Sequence, residues 1–319
     1  MDSRGVLNIP LSFENPMGKY LNNSLARAGL ALVASMLLWS TAFVGMKIAV
    51  TGMHPVLAMA GRMLVAVLAI LPLAARFRRG AAVYAPGDWV LLGLMVLCEP
   101  CLFFLFESYA LTFTSGSQAS MVVALLPIMI LVGARLTLNE PISGRTALGI
   151  VFGVAGTIWL TTAGPVLQEN VPNPLLGNFL EFLAILCAVG STLAVKKLTI
   201  RYSPHFLTAC QAAGGLVFFL PLALFLAGPE ELERVRSEAV FAVTYLGLAI
   251  TLGAYGLWNY AVSRLPAGRA SAATNLIPVF SVFFCFLFLE EGFTFQQFLA
   301  SGVVLAGVFL TTAGRWGRG

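Results

Sequence analysis

Residues 28–50 read AGLALVASMLLWSTAFVGMKIAV, a stretch that carries a single charged side chain, Lys47, near its end. A helix needs about 20 predominantly apolar residues to cross the hydrocarbon core of a bilayer. The apolar residues here are continuous and do not alternate, which is typical of a helix and excludes a strand of a membrane barrel. The stretch therefore predicts a first membrane-spanning helix.

The same pattern recurs along the chain of 319 residues. Hydrophobic residues make up 59% of it and charged residues only 10%, with a mean hydropathy of +0.89. Soluble domains carry about 25% charged residues, so this chain is predicted to be an all-α integral membrane protein with ten transmembrane helices. The predicted spans are 28–50, 55–75, 89–110, 115–138, 143–163, 175–199, 204–227, 239–264, 267–289 and 294–313.

The distribution of Lys and Arg predicts the orientation in the membrane. With ten spans, both termini lie on one side, and that side holds 15 of the 19 basic residues. Basic residues in short loops are retained in the cytoplasm, so both termini are predicted to be cytoplasmic and the protein to lie in the inner cell membrane. The net charge of +5 is thereby explained by orientation, and no solvated basic domain for nucleic acid is present.

The two halves of the sequence match each other in order. Lys47 and Lys196 stand 149 residues apart, as do Pro55 and Pro204. Later matches have a shift of 151, and the sequence LTTAG closes both halves, at 160–164 and at 310–314. Because each half has five spans, the second enters the membrane from the opposite side, which predicts an inverted repeat of the kind found in secondary transporters.

The predicted organisation has three parts. Residues 1–27 form a polar cytoplasmic tail, residues 28–164 the first five-helix repeat, and residues 175–314 the second five-helix repeat. The longest links between spans, 76–88, 164–174 and 228–238, are too short for a soluble domain.

Several short motifs, in a fixed order, resemble those of a known family. The first half carries LWSTAF at 38–43 ahead of Lys47, then TSGSQA at 114–119 and LNEP at 138–141. The second half carries GRASA at 268–272, LIP at 276–278 and LEE at 289–291. Over about residues 28–314 the chain resembles the drug/metabolite transporter superfamily, in particular its EamA family of ten-helix carriers.

The resemblance implies a central cavity surrounded by helices 1–4 and 6–9, with helices 5 and 10 at the periphery. It also implies transport of small metabolites, often export of amino acids or related compounds. The related four-helix multidrug proteins place a carboxylate eight residues before the Lys of their first helix. Trp39 and Ala188 stand at the matching positions here, so that proton-linked mechanism is not carried over.

The charged residues inside predicted spans include Arg62, Glu99, Glu107 and Glu181. Such residues are costly in lipid and usually face the protein interior or a cavity. On a continuous helix Glu99 and Glu107 are about 80° apart and share one broad face, and Pro100 is expected to weaken the helix beside Glu99. The pair predicts a site for a substrate amine or a proton, and Arg62 one for a carboxylate or phosphate; the alternative is an internal ion pair that fixes helix packing. Glu181, near the start of its span, is equally compatible with an interfacial position.

Other polar and aromatic residues inside spans are candidates for the cavity lining. They are Trp39, Gln118, Trp258, Asn259 and Asn275. Intramembrane amides also hold helices together, so a packing role is the alternative for each of them. The matched residues Lys47 and Lys196 lie near helix ends, where snorkelling to the interface is expected.

Other chemistry finds no support in the sequence. Five cysteines lie in apolar runs, and no cluster predicts a metal site, a cofactor site or a catalytic triad. Gly149 and Gly153 form a G-x-x-x-G pattern, which predicts close helix packing within the chain or in a homodimer.

The leading hypothesis is therefore a secondary active transporter that exports a small polar metabolite, an amino acid or a related compound, across the lipid bilayer by alternating access. A structural or sensory membrane protein without flux, or a membrane-embedded enzyme, is the alternative.

Overall fold

The computed structural model describes residues 16–73, 85–113, 122–163, 172–226, 228, 235–289 and 294–312. Within these ranges all regular structure is helical and no strand is present. The prediction of an all-α protein is confirmed.

The helices are numbered here in chain order. They are α1 (Pro16–Gly52), α2 (Pro55–Ile70), α3 (Asp88–Val96), α4 (Phe103–Phe113), α5 (Leu126–Leu138), α6 (Gly144–Thr162), α7 (Pro174–Leu198), α8 (Pro204–Leu226), α9 (Ser237–Tyr245), α10 (Tyr255–Val262), α11 (Ala267–Ala272), α12 (Leu276–Leu289) and α13 (Phe295–Thr312). Two π-helical segments, Leu97–Leu102 and Leu246–Ala254, join α3 to α4 and α9 to α10. Short 3₁₀ turns at Leu71–Leu73 and Ala273–Asn275 follow α2 and α11.

Five helical stretches within the described ranges are long and apolar enough to cross a membrane. They are Ser24–Met46, Asp88–Ala110, Pro174–Leu198, Pro204–Leu226 and Ser237–Val262. Shorter apolar helices accompany them at Pro55–Ile70, Leu126–Leu138, Gly144–Leu160 and Phe295–Thr311. The first helix begins at Pro16, and so extends into the segment expected to be a tail.

The helix starts follow from local sequence. α6 begins after Ser143, whose Oγ accepts a hydrogen bond of 3.1 Å from the backbone N–H of Thr146. α7 begins after Asn173, whose Oδ1 accepts one of 3.1 Å from the N–H of Leu176. Both side chains satisfy a backbone donor that has no partner inside the helix. The first residue of α7 is a proline, which lacks that donor.

The third predicted span is broken at Glu99. This residue has φ −149° and ψ 118°, an extended conformation, and the peptide bond to Pro100 is cis. Proline disfavours helical geometry in the residue before it and provides no N–H for the helix. The expected weak point is therefore a complete break. The helix from Glu99 to Glu107 is therefore not continuous with the one before it, because Glu99 itself stands at the break.

The long helices pack in pairs taken from the two halves of the chain. α1 packs against α9, α10 and the π segment between them, and α7 packs against α3 and α4. α2 packs against α8, and α6 against α13. A buried apolar cluster joins the first described part of α1, the end of α7, α10 and α11; it contains Met36, Leu198, Val262 and Ala270.

Glycines allow α6 and α13 to approach closely. An ideal Cβ at Gly307 on α13 would lie 2.5 Å from the backbone N of Gly153 and 2.6 Å from the carbonyl O of Gly149. A Cβ at Gly156 would lie 2.9 Å from the backbone N of Val304. The G-x-x-x-G pattern thus serves packing within the chain, which was one of its two predicted uses.

We expect Gly307→Ala to destabilise the protein. Its methyl group would meet backbone atoms of α6, which cannot rotate away, and overpacking of this kind costs about 1–3 kcal/mol. Gly302→Ala on the same helix is the matched control, because a Cβ there meets no atom within 4 Å. Thermal unfolding in detergent should show a lowered midpoint for Gly307→Ala alone. Equal midpoints for the two variants would contradict the close α6–α13 contact.

Two polar contacts tie helix ends together on the side predicted to be cytoplasmic. The buried Asp88 carboxylate forms an ion pair with Arg201 and accepts 3.0 Å and 3.1 Å hydrogen bonds from the Tyr202 hydroxyl and the Ala85 N–H. Lys196 Nζ donates to the carbonyl oxygens of Val262 and Leu265, at 2.9 Å and 2.6 Å. Lys196 therefore does not snorkel; it satisfies carbonyl groups at and just beyond the end of α10. The side chain of Lys47 lies outside the described part of the structure.

Candidate functional site

Arg62 lies midway along α2 and is buried, with 2% of its surface exposed. Its Nε donates a hydrogen bond of 2.9 Å to Thr251 Oγ1, in the π segment between α9 and α10. Its guanidinium carbon lies 4.5 Å from the ring centroid of Phe104, on α4. A guanidinium has five N–H donors in a planar fork. Among the described residues only Nε has a hydrogen-bond partner, Thr251, so the two Nη groups are available to a ligand.

Glu99 lies at the break in the third span, opposite α8 and α10. The Tyr255 hydroxyl donates a hydrogen bond of 2.9 Å to Glu99 Oε1, and Gln211 Nε2 donates one of 3.4 Å to its backbone carbonyl. All three residues are buried. The break thus exposes a backbone carbonyl, which a regular helix would satisfy internally, and Gln211 is its partner.

Asn259 extends this polar network. It is fully buried on α10, and its Nδ2 donates to Thr208 Oγ1 at 3.0 Å and to Gln211 Oε1 at 2.9 Å. Its Oδ1 has no hydrogen-bond partner among the described atoms. The amide links α10 to α8 and still presents one acceptor, which suits a donor group on a bound molecule.

Aromatic rings form one wall beside these polar groups. The ring centroid of Trp39, on α1, lies 5.4 Å from that of Tyr255 and 5.4 Å from that of Trp258. The first contact is edge-to-face, with an interplanar angle of 77°. Trp39 is only half-buried. The wall therefore offers an apolar surface with one hydroxyl at its edge.

Two further carboxylates lie in electrostatic reach of each other. Glu107, on α4, is half-buried and interacts electrostatically with Arg62, Glu99 and Glu181. Glu181, on α7, has only 1% of its surface exposed, and its Oε2 has no hydrogen-bond partner among the described atoms. Glu181 is thus buried among protein atoms. Repulsion between two close carboxylates is relieved by a proton or a cation.

The structure brings most of the predicted site residues together. We call the polar network around Glu99 and Asn259, together with Arg62 and the aromatic wall, the polar cluster. Six predicted residues lie in it or within electrostatic reach of it: Arg62, Glu99, Glu107, Trp39, Trp258 and Asn259. Asn275 lies apart from them, against α6, where its Oδ1 accepts a 3.4 Å hydrogen bond from Thr157 and its Nδ2 lies beside Gly153. Gln118 falls outside the described residues.

The alternative of a direct ion pair between Arg62 and a glutamate is not what the structure shows. The close partners of the guanidinium are the Thr251 hydroxyl and the Phe104 ring, and neither Glu99 nor Glu107 forms an ion pair with it. The charges attract at longer range.

Sequence reasoning missed Gln211, Tyr255 and Thr251 and left Glu181 undecided. A signal for Gln211 exists: it stands 149 residues after Arg62, the shift that relates Lys47 to Lys196. Each of these matched residues contacts the π segment of the other half, Arg62 through Thr251 and Gln211 through Glu99. Nothing in the sequence pattern distinguishes Tyr255 and Thr251 from ordinary packing residues.

Metal-binding side chains are not clustered in the part of the chain that the structure describes. No group there of three or more His, Cys, Asp or Glu is placed to hold a metal ion. The site instead combines one buried cation, three carboxylates, amides and aromatic rings, which suits recognition of a small polar molecule with charged groups.

Comparison with known proteins identifies the family. The profile of the EamA-like transporter family matches residues 26–162 and again 175–313. The chain belongs to the EamA-like transporter family. The resemblance to this family, noted from short motifs, is confirmed, and with it a role as a multi-pass membrane transporter.

Relatives are found in bacteria, archaea and plants. The uncharacterized transporter YetK of Bacillus subtilis is 27% identical over 89% of this chain and 86% of its own length. An uncharacterized transporter of Archaeoglobus fulgidus is 26% identical over 90% of this chain and 98% of its own. The WAT1-related protein At3g02690, chloroplastic, of Arabidopsis thaliana is 24% identical over 88% and 68%.

A solved crystal structure shares the fold of this EamA-like chain. Its TM-score is 0.75 at 18% sequence identity, and the match covers 90% of this chain and 97% of the other. The helical arrangement therefore has an experimental counterpart, and the similarity extends to the fold alone.

Proposed function

We propose that this protein is a secondary active transporter that exports a small polar metabolite, an amino acid or a related compound, by alternating access. The observation that carries the proposal is the buried set of charged groups between helices of the two halves, Arg62 with Glu107 and Glu181. Buried charges in a bilayer are costly and are retained for function. A zwitterion would match this set of one cation and two carboxylates.

An inverted repeat of two five-helix halves is part of this proposal, and the packing supports it. α1 lies against α9 and α10, and in the matching way α7 lies against α3 and α4. The two π segments begin 149 residues apart, at Leu97 and Leu246. The two segments matched by the family profile also fall on the two predicted halves. Such symmetry allows the halves to exchange conformations around a central site.

The carboxylates and the arginine would have separate tasks. Glu107 and Glu181 would hold either a proton or the ammonium group of the substrate, so that the two cations compete for one site. Arg62 would bind the carboxylate of the substrate through its free Nη groups, in the bidentate manner that guanidinium favours. Competition at one site would make export of substrate depend on entry of protons.

The helix ends support a conformation closed on the cytoplasmic side. There the Asp88–Arg201 ion pair and the bonds from Lys196 to the carbonyls of Val262 and Leu265 tie helix ends together. Glu107 and Glu181 lie in the halves of their predicted spans, 89–110 and 175–199, that are nearer the opposite side. Protons would therefore reach the carboxylates from outside the cell in this conformation, and breaking the two ties would open the route from the cytoplasm.

Flux through purified protein in liposomes tests the proposal. A panel of amino acids, nucleosides, sugar phosphates and organic cations is loaded, with a pH-sensitive dye in the lumen. We expect saturable movement of amino acids or closely related compounds across the liposome membrane. Protons should move in the opposite direction, and the dye should report this as a change of the lumenal pH. Folded protein that moves no member of the panel would contradict the proposal and favour a structural or sensory role.

A further inference from the structure

A lateral groove lies outside the polar cluster, between α1 and the second half of the α9–α10 span. It encloses a volume of about 620 Å³. Its lining includes Arg27 and Leu30 on α1, Gly253 and Gly256 on the π segment and α10, Tyr260, and His205 at the start of α8. Leu30 is 70% exposed. The groove therefore faces away from the cluster, on the side of these helices that meets the bilayer.

Basic residues lie at one end of the groove, and the rest of its lining is apolar. Arg27 lies at the cytoplasmic start of the first predicted span, and the Arg264 guanidinium lies 3.7 Å from the ring centroid of Tyr260. The other end of the lining consists of aliphatic residues and glycines: Leu30, Ala31, Ala34, Leu252, Gly253, Gly256 and Leu257. A soluble anion would use the cations alone and leave this apolar surface uncovered.

The groove does not follow from the internal repeat. At the shift of 149, Arg27 corresponds to Leu176, and at the shift of 151, Gly253 and Gly256 correspond to Leu102 and Leu105. The first half thus has bulky residues where the second half has glycines, and lacks the arginine. A Cβ built on Gly256 meets no atom within 4 Å, so the absence of a side chain there leaves open space.

We propose that this groove binds one anionic phospholipid of the cytoplasmic leaflet. The phosphate would lie against the guanidinium of Arg27, which suits phosphate oxygens, and the Arg264 guanidinium on the ring of the lining residue Tyr260 would add positive charge nearby. One acyl chain would run along the glycine face of α10, against Leu30. Basic pockets between transmembrane helices on the cytoplasmic side are suited to anionic lipid headgroups. The proposal concerns a surface apart from the transport site and does not depend on the substrate.

Native mass spectrometry of the purified full chain tests the proposal, with phosphatidylglycerol and phosphatidylcholine of identical acyl chains as probes. We expect one phosphatidylglycerol to be retained per chain, in clear preference to phosphatidylcholine. Arg27→Gln should reduce that preference by about fivefold, the effect of one arginine near a charged headgroup. Arg135→Gln, an exposed arginine on α5, is the matched control and should leave the preference unchanged.

Filling the groove gives an independent test. Gly256→Trp should displace the retained lipid, and Gly302→Trp should not; a Cβ at either glycine meets no atom within 4 Å, and Gly302 lies exposed on α13. Inorganic phosphate at millimolar concentration should not displace phosphatidylglycerol. Equal retention of the two lipids, equal effects of the two tryptophans, or displacement by phosphate alone would each overturn the proposal.

Discussion

Replacing Glu107 or Glu181 with glutamine is expected to reduce substrate flux by about 10- to 100-fold, because a hydrogen bond to a charged group contributes about 1.5–3 kcal/mol. Glutamine keeps the shape of the side chain and removes the charge that would hold an ammonium group or a proton. The two carboxylates act on each other, so we expect the double variant to lose little more than either single variant. Initial rates of flux in proteoliposomes measure the effect.

Glu238→Gln is the matched control for these variants. Glu238 is a carboxylate in the first turn of α9, exposed, and outside the cluster. Its replacement should leave flux within about twofold of the wild type, in line with the small energy of exposed charges. Full-rate transport by Glu107→Gln and Glu181→Gln, at every pH, would show that these carboxylates take no part in transport.

Replacing Arg62 with glutamine is expected to raise the KM for substrate by at least about 10-fold, since a charge-assisted bond to the substrate carboxylate is lost. Arg62→Lys should recover only part of this loss, because an ammonium group cannot bind a carboxylate bidentately. The Phe104 ring and the Thr251 hydroxyl hold the guanidinium in place, so thermal unfolding must be measured alongside transport.

Thr251→Val distinguishes the binding of substrate by the Arg62 charge from the positioning of that charge by Thr251. It removes the partner of Arg62 Nε and keeps the charge, so its effect on KM should be smaller than that of Arg62→Gln. An unchanged KM in Arg62→Gln, together with a lowered unfolding midpoint, would assign Arg62 to helix packing.

Much of the fold could be predicted from the sequence because the bilayer imposes few and strict rules. A long apolar run must become a helix, and proline must interrupt it, so the expected weakness at Pro100 appears as a break at Glu99. The glycines of α6 likewise predicted a close helix contact, and Gly307 of α13 is the partner. Only the structure distinguishes a contact within the chain from a dimer contact, because the spacing of the glycines does not identify the helix that packs against them.

The site was less predictable, because helix rotation and tertiary contacts decide which residues face each other. Glu181 lies near a helix start, yet it is buried and within electrostatic reach of Glu107. For Asn275 the sequence left a place in the cavity lining and a packing role open, and its amide lies beside Gly153 of α6, in the packing role. Tyr255 became part of the site only because the break at Glu99 turns that carboxylate toward it.

Proton release on substrate binding tests the central claim most directly. Purified protein in weakly buffered detergent solution is mixed with the substrate identified by flux, and the pH is recorded with a soluble indicator. Competition of proton and ammonium for Glu107 and Glu181 predicts that the wild type releases protons as substrate binds and that the double glutamine variant releases none. Undiminished proton release by that variant, with substrate still bound, would contradict the account.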